Sequence, residues 1–215
     1  MLEDLRFGIV YLSLLSGICG LVFLHKLPGN KAKSILLLIW LSTATELVGK
    51  YFTIWTGLLN YYVFNLYILM SFSIYILLLK SLIKTRTHKN LASLLLVIFL
   101  VFYFINYFFI QNEFGQILTN SYTVGVLSII ILSFLYMFEL FSSNLVLSYS
   151  KSVFFWFVLG ILIFHVPFLP FMLSLKWFLI DYNPSIYGLI IFFLNLLMNF
   201  CFLVGFIWSE KKYNY

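Results

Sequence analysis

The sequence is short of charge. Aspartate, glutamate, lysine and arginine supply 9% of its 215 residues, and 63% are hydrophobic. A soluble domain carries about 25% charged residues. With a mean hydropathy of +1.06, this excludes a water-soluble globular protein and a disordered chain, whose hallmarks are low hydrophobicity and high charge. Cysteine is nearly absent too: Cys19 and Cys201 both fall inside apolar runs. That excludes a disulfide-built secreted module, and the pair reads as buried free thiols. No histidine stands at ligand spacing from either thiol, so no metal is expected. There is no glycine-rich phosphate loop, no His-Glu-x-x-His pair and no Gly-x-Ser-x-Gly turn. A carbonyl-lined filter sequence and an arginine-rich voltage sensor are also missing. The last apolar run holds no lysine for a retinal Schiff base. The expectation is a protein without cofactor and without enzymatic activity. His165 and Glu46 would be the only pair of groups offering acid–base work, on a lipid.

What is present is seven long apolar runs, near residues 7–24, 34–52, 59–83, 91–110, 122–141, 153–173 and 186–208. Each can cross a hydrocarbon core of about 30 Å as a helix at 1.5 Å per residue. None alternates as a barrel strand would. The sequence thus predicts an all-α integral membrane protein, a seven-transmembrane-helix bundle. No connecting segment is long enough for a domain of its own, so one transmembrane domain is expected over residues 1–215. The acidic start Met1-Leu2-Glu3-Asp4 lacks the positive leader of a cleaved signal, and the first run reads as a retained span.

The formal charge of +6 does not point to nucleic acid, because the 13 basic residues are scattered through short loops. Ten of them (Lys26, Lys31, Lys33, Lys80, Lys84, Arg86, Lys89, Lys151, Lys211 and Lys212) flank one side of a seven-span arrangement. Arg6, Lys50 and Lys176 flank the other. The positive-inside rule then puts the N-terminus outside and the C-terminus in the cytoplasm of a multi-pass bacterial inner-membrane protein.

In so apolar a chain the polar residues inside spans carry the information, since a charge near the bilayer centre costs about 2.5–3.5 kcal/mol. Glu46 lies roughly 18 Å along the second run from Ser34. Lys50 follows four residues later, in the favourable order for an ion pair. The two read either as a self-neutralised pair, with Lys50 reaching the outer surface, or as a ligand or proton site. His165 sits at similar depth in the sixth run, followed by Pro167 and Pro170. Each proline removes a backbone bond and favours a kink, so the pair forms a candidate hinge. Asn65, Asn106 and Asn195 fall in the outer halves of their runs, with Asn199 one turn deeper. Each can bond a neighbouring helix. Taken together, Glu46, Lys50, Asn65, Asn106, His165 and Asn195 can line one polar cavity opening outward.

Glu139 lies near the inner end of the fifth run. It is expected to reach the interface, pair with a basic residue of an inner loop, or couple to a cytoplasmic partner beside Lys84, Arg86 and Lys89. Ser13, Ser16, Gly17 and Gly20 make a small-residue row suited to close packing or a dimer seam. Trp55, Tyr61, Tyr62, Tyr107, Tyr122, Trp177, Tyr182 and Tyr187 map near the outer interface as an aromatic belt, part of which can roof a cavity. The apolar segment 175–181 can lie on the surface or act as a lid.

Three stretches, Thr45-Glu46-Leu47-x-Gly49, Tyr136-x-x-Glu139-Leu140 and Phe155-Trp156-x-x-x-Gly160-x-Leu162-Ile163-Phe164, carry a resemblance. Through them the chain is similar to small bacterial seven-helix membrane proteins associated with two-component sensor kinases. The resemblance covers most of the chain, implies a sensor or signalling component, and brings no catalytic residues. The leading expectation is a receptor-like subunit that binds a small ligand or proton in the outer cavity and signals to a cytoplasmic signalling or effector protein. A small-solute or proton-coupled transporter is the alternative. Another is a homo-oligomeric effector of a bacterial defence system that permeabilises the lipid bilayer.

Overall fold

The computed structural model describes residues 2–27, 29–111, 116–177 and 184–214. The described residues are helices joined by short turns, with no strand among them. Seven α-helices account for most of them: α1 (Leu2–Val22), α2 (Gly29–Thr56), α3 (Tyr61–Leu82), α4 (Arg86–Ile105), α5 (Thr119–Phe141), α6 (Val153–Trp177) and α7 (Pro184–Trp208). Each apolar run of the sequence falls on one of them. Among the described residues six helices are long and apolar enough to cross a membrane, and a shorter apolar stretch, Gly8–Val22, lies on α1. The chain is therefore a helical, multi-pass membrane protein. Helix ends reach beyond the apolar runs where polar residues can continue the backbone ladder. α2 begins at Gly29 rather than near 34, and α4 at Arg86 rather than near 91.

The chain divides into two compact units, one of Met1–Ile39 with Leu140–Tyr215 and one of Trp40–Glu139. In the first, α7 packs against both α1 and α6. The small-residue row serves that packing. Ser13, Ser16, Gly17 and Gly20 are all buried, and a Cβ on Gly20 would meet Leu36 and the Phe206 ring. On the α6–α7 seam a Cβ on Gly160 would stand 2.9 Å from the Phe202 ring and 3.1 Å from the Met198 carbonyl oxygen. α6 continues as one helix through Pro167 and Pro170. The segment after α7 returns to the start of α6. Asn214 Oδ1 accepts the Val153 N–H at 2.8 Å, and Glu210 meets Lys151 at 2.6 Å and Lys212 at 3.1 Å. Those two ammonium groups, Lys151 first, hold the Glu210 carboxyl below the usual carboxylate range.

In the second unit α3 and α4 run side by side. Phe72 (2% exposed) and Phe99 (0%) centre its core. Their rings lie 5.7 Å apart, with Tyr122 edge-on to Phe72 at 5.3 Å. Gly125 of α5 lets Phe72 sit against bare backbone. Ser133, also on α5, is fully buried, and its hydroxyl has no hydrogen-bond partner among the described residues. A buried hydroxyl left unsatisfied costs on the order of 1–3 kcal/mol. Ser133→Ala is therefore expected to match or exceed the wild-type stability by about 1 kcal/mol in reversible unfolding; a loss of that size would count against it.

Candidate functional site

A cleft of about 250 Å³ opens in the second unit beside the Ile105 end of α4. It is slightly smaller than the typical small-molecule pocket of about 300–1,000 Å³. Its walls are aromatic: Tyr62 comes from α3, and Tyr103, Phe104, Tyr107 and Phe108 from α4 and the turn that follows. Tyr103 and Tyr107 stack 6.4 Å apart with ring planes 8° from parallel. Four residues on from a helical aromatic is the neighbouring position on the same face, so one register produces the pair.

The turn after α4 is a π-helix over Asn106–Ile110. Its closing bond runs from the Gln111 N–H to the Asn106 carbonyl, five residues back, at 2.8 Å. Asn106 is the reason the chain widens here. It is completely buried, and its amide donates to Gln111 Oε1 at 2.9 Å and to Ser121 Oγ at 2.8 Å. A π turn adds one residue to the coil and is frequent at functional positions; here it forms the cleft wall that carries Tyr107 and Phe108.

Two side-chain amides line the cleft, Asn65 and Gln111. Asn65 Oδ1 accepts the Leu118 N–H at 2.9 Å, and its nitrogen donates to the Gln116 carbonyl at 3.1 Å. Gln111 Oε1 accepts from the Asn120 N–H at 3.1 Å, and its nitrogen donates to Thr119 Oγ1 at 3.2 Å. Because each oxygen is fixed by a backbone donor, the orientation of each amide is fixed too. An amide nitrogen has two hydrogens, so Asn65 and Gln111 each retain one N–H without a partner among the described residues. Tyr103, which is buried, donates its hydroxyl to the Asn65 carbonyl at 3.0 Å. No charged side chain is among the described residues that line the cleft.

The six residues expected to share one cavity are thus placed differently. Asn65 lines the cleft and Asn106 braces it from behind. Glu46 and Lys50 stand on α2 and are not among the lining residues. The Tyr67 hydroxyl of α3 is hydrogen-bonded to Ser42 and Ser71 and lies within the field of the Glu46 carboxylate. The Lys50 ammonium lies 5.4 Å from the centre of the Tyr51 ring. His165 and Asn195 belong to the first unit. His165 is buried, with the Phe164 ring edge-on at 5.0 Å. Asn195 and Asn199 donate to carbonyls of their own helix, Ile191 and Asn195, each at 2.9 Å. Tyr62 and Tyr107 of the expected aromatic belt are cleft walls. The side chains of Trp177, Tyr182 and Tyr187, and residues 178–181 of the lid segment, lie outside the described residues.

At the other end of α4, Glu139 takes no lysine or arginine side chain. Its carboxylate accepts the backbone N–H of Lys84 at 2.6 Å and of Thr85 at 3.2 Å, and meets His88 Nδ1 at 2.6 Å. Those two amides belong to the N-cap residue Thr85 and the residue before it, and a carboxylate there also meets the positive end of the helix dipole. Those donors outcompete the long, strongly hydrated side chains of Lys84 and Arg86, which stay exposed; Lys89 is half-buried.

Tyr103, Gln111, Phe104 and Leu118 were missed by reasoning from sequence. The Tyr103–Tyr107 spacing was a usable signal; the π turn that arranges them had none. What fold and site define together is a multi-pass helical membrane protein with an aromatic-walled cleft. Set against family models, curated proteins and solved structures, the chain matches none of them.

Proposed function

We propose that this is a seven-span sensor of the bacterial inner membrane, N-terminus outside and C-terminus cytoplasmic, that binds a small ligand in the α3–α4 cleft and signals inward. The charge asymmetry of the loops supports this orientation, which puts the cleft at the outer side and the turn 84–88 at the inner side. The reading agrees with the resemblance to membrane partners of sensor kinases. One observation carries it: a single helix, α4, bears the cleft wall at one end and the Glu139-clamped basic turn at the other. Its 20 residues span about 30 Å, the thickness of the hydrocarbon core. Occupation of the cleft moves Tyr103 and Tyr107. A helix displaced at one end shifts its far turn, and with it Lys84, Arg86 and Lys89, the surface offered to a cytoplasmic partner.

The test measures thiol labelling of Thr87→Cys, in a chain with Cys19 and Cys201 replaced by alanine and the protein in lipid nanodiscs. Leu69 lines the cleft, and Leu69→Trp fills it as a built-in occupant. A several-fold change in labelling rate on filling the cleft is expected. An unchanged rate in a folded, inserted protein would overturn the sensor reading.

A further inference from the structure

We infer that the cleft takes an uncharged planar ring bearing a carbonyl oxygen and an apolar tail, the chemistry of a membrane quinone. This deepens the sensor reading and rests on the cleft being a ligand site. Four observations converge on it.

No charged side chain is among the described residues that line the cleft, and those residues offer an ionic ligand nothing to replace its hydration. The walls are rings, with Tyr103 and Tyr107 parallel to one another; a flat ligand gains offset-stacked or edge contact there that an acyl chain cannot. Among the described residues, the Asn65 and Gln111 amides each keep one N–H donor, while their oxygens already accept backbone amides. A ligand that fits them supplies an acceptor, as a ring carbonyl does. Lastly, Leu66, Phe104 and Phe108 line the cleft and are exposed, at 56%, 49% and 61%. In a membrane-spanning bundle such residues face lipid, so the opening admits a ligand dissolved in the bilayer and leaves its tail there. A volume of about 250 Å³ holds a one- or two-ring head and leaves no room for the tail.

Binding is read by isothermal titration of nanodisc-embedded protein with menadione, a tailless naphthoquinone. 2-Methylnaphthalene, which keeps the rings and lacks both carbonyls, and naphthoate, which adds a charge, serve as comparisons. Saturable one-to-one binding of menadione is expected, at least tenfold tighter than either. Leu69→Trp and Tyr107→Ala are each expected to weaken it at least tenfold. Gln111 also holds the π turn, so Gln111→Leu is informative only if the circular dichroism and melting of the variant match wild type. Tyr107→Ala keeps the test decisive otherwise, because removal of one wall ring leaves the amide network intact. Equal affinity for menadione and 2-methylnaphthalene would overturn the carbonyl assignment. No saturable menadione binding, or binding untouched by Leu69→Trp, would overturn the inference as a whole. If the Thr87→Cys labelling response persists in that case, the sensor reading stands and the ligand class falls alone.

Discussion

Replacing Glu139 with alanine is expected to destabilise the protein by about 1–2 kcal/mol. Hydrogen bonds to a charged group contribute about 1.5–3 kcal/mol each, and less where water reaches the donors, as it does at the exposed Lys84 and Thr85. Here the carboxylate is the acceptor for the N–H groups of Lys84 and Thr85 and the partner of His88. The Glu139 side chain is 13% exposed, but Lys84 and Thr85 are exposed, so water replaces much of what is removed. Glu139→Gln keeps one acceptor oxygen without the charge and is expected to lose about half as much. Reversible unfolding in mixed micelles gives the free energies, and amide exchange at Lys84 and Thr85 locates the loss. An alanine variant as stable as wild type, with those amides still protected, would show that the clamp contributes nothing. His88→Ala is the milder companion, since it leaves both backbone donors paired.

At Gly160 the expected outcome is graded by size. A single added methyl would meet the Phe202 ring at 2.9 Å, the Met198 carbonyl oxygen at 3.1 Å and the Cys201 Cβ at 3.2 Å. A ring can swing aside, but a carbonyl oxygen within a helix cannot move without its backbone. Overpacking of this kind costs about 1–3 kcal/mol, so Gly160→Ala is expected near the lower end. Gly160→Val is expected to exceed the range and to lower the amount of folded protein recovered from membranes. Close helix approach in a bilayer relies on dispersion rather than on water exclusion, so little else compensates a widened seam. Gly49→Ala supplies the contrast. The nearest atoms there are the far end of the Phe64 ring at 3.1 Å, which can rotate away, and a loss below about 1 kcal/mol is expected. Equal losses at the two glycines would remove the distinction.

The helices were legible because a span needs about 20 apolar residues, a signal that no neighbour can alter. Polar residues inside spans were legible as exceptions, and Asn65 and Asn106 do sit at the cleft. Their partners were not. Asn65 bonds Gln116 and Leu118, 51 and 53 residues away, and which helices adjoin is decided by side-chain packing rather than by depth. Depth alone grouped His165 and Asn195 with Asn65, although the first two lie in a different unit. Glu139 shows a second kind of limit. Its position near a basic loop was plain from the sequence, but the choice between side-chain cations and bare backbone amides depends on where α4 starts. That start is itself fixed partly by the carboxylate.

The return of the chain after α7 to the head of α6 imposes an order on biosynthesis. The Val153 amide that Asn214 satisfies is 61 residues ahead of it in the chain. At a synthesis rate of about 5–20 residues per second, the first turn of α6 waits roughly 3–12 s for its cap. Throughout that interval the Val153 amide lacks Asn214 and Lys151 lacks Glu210, so residues 210–214 complete a helix begun much earlier.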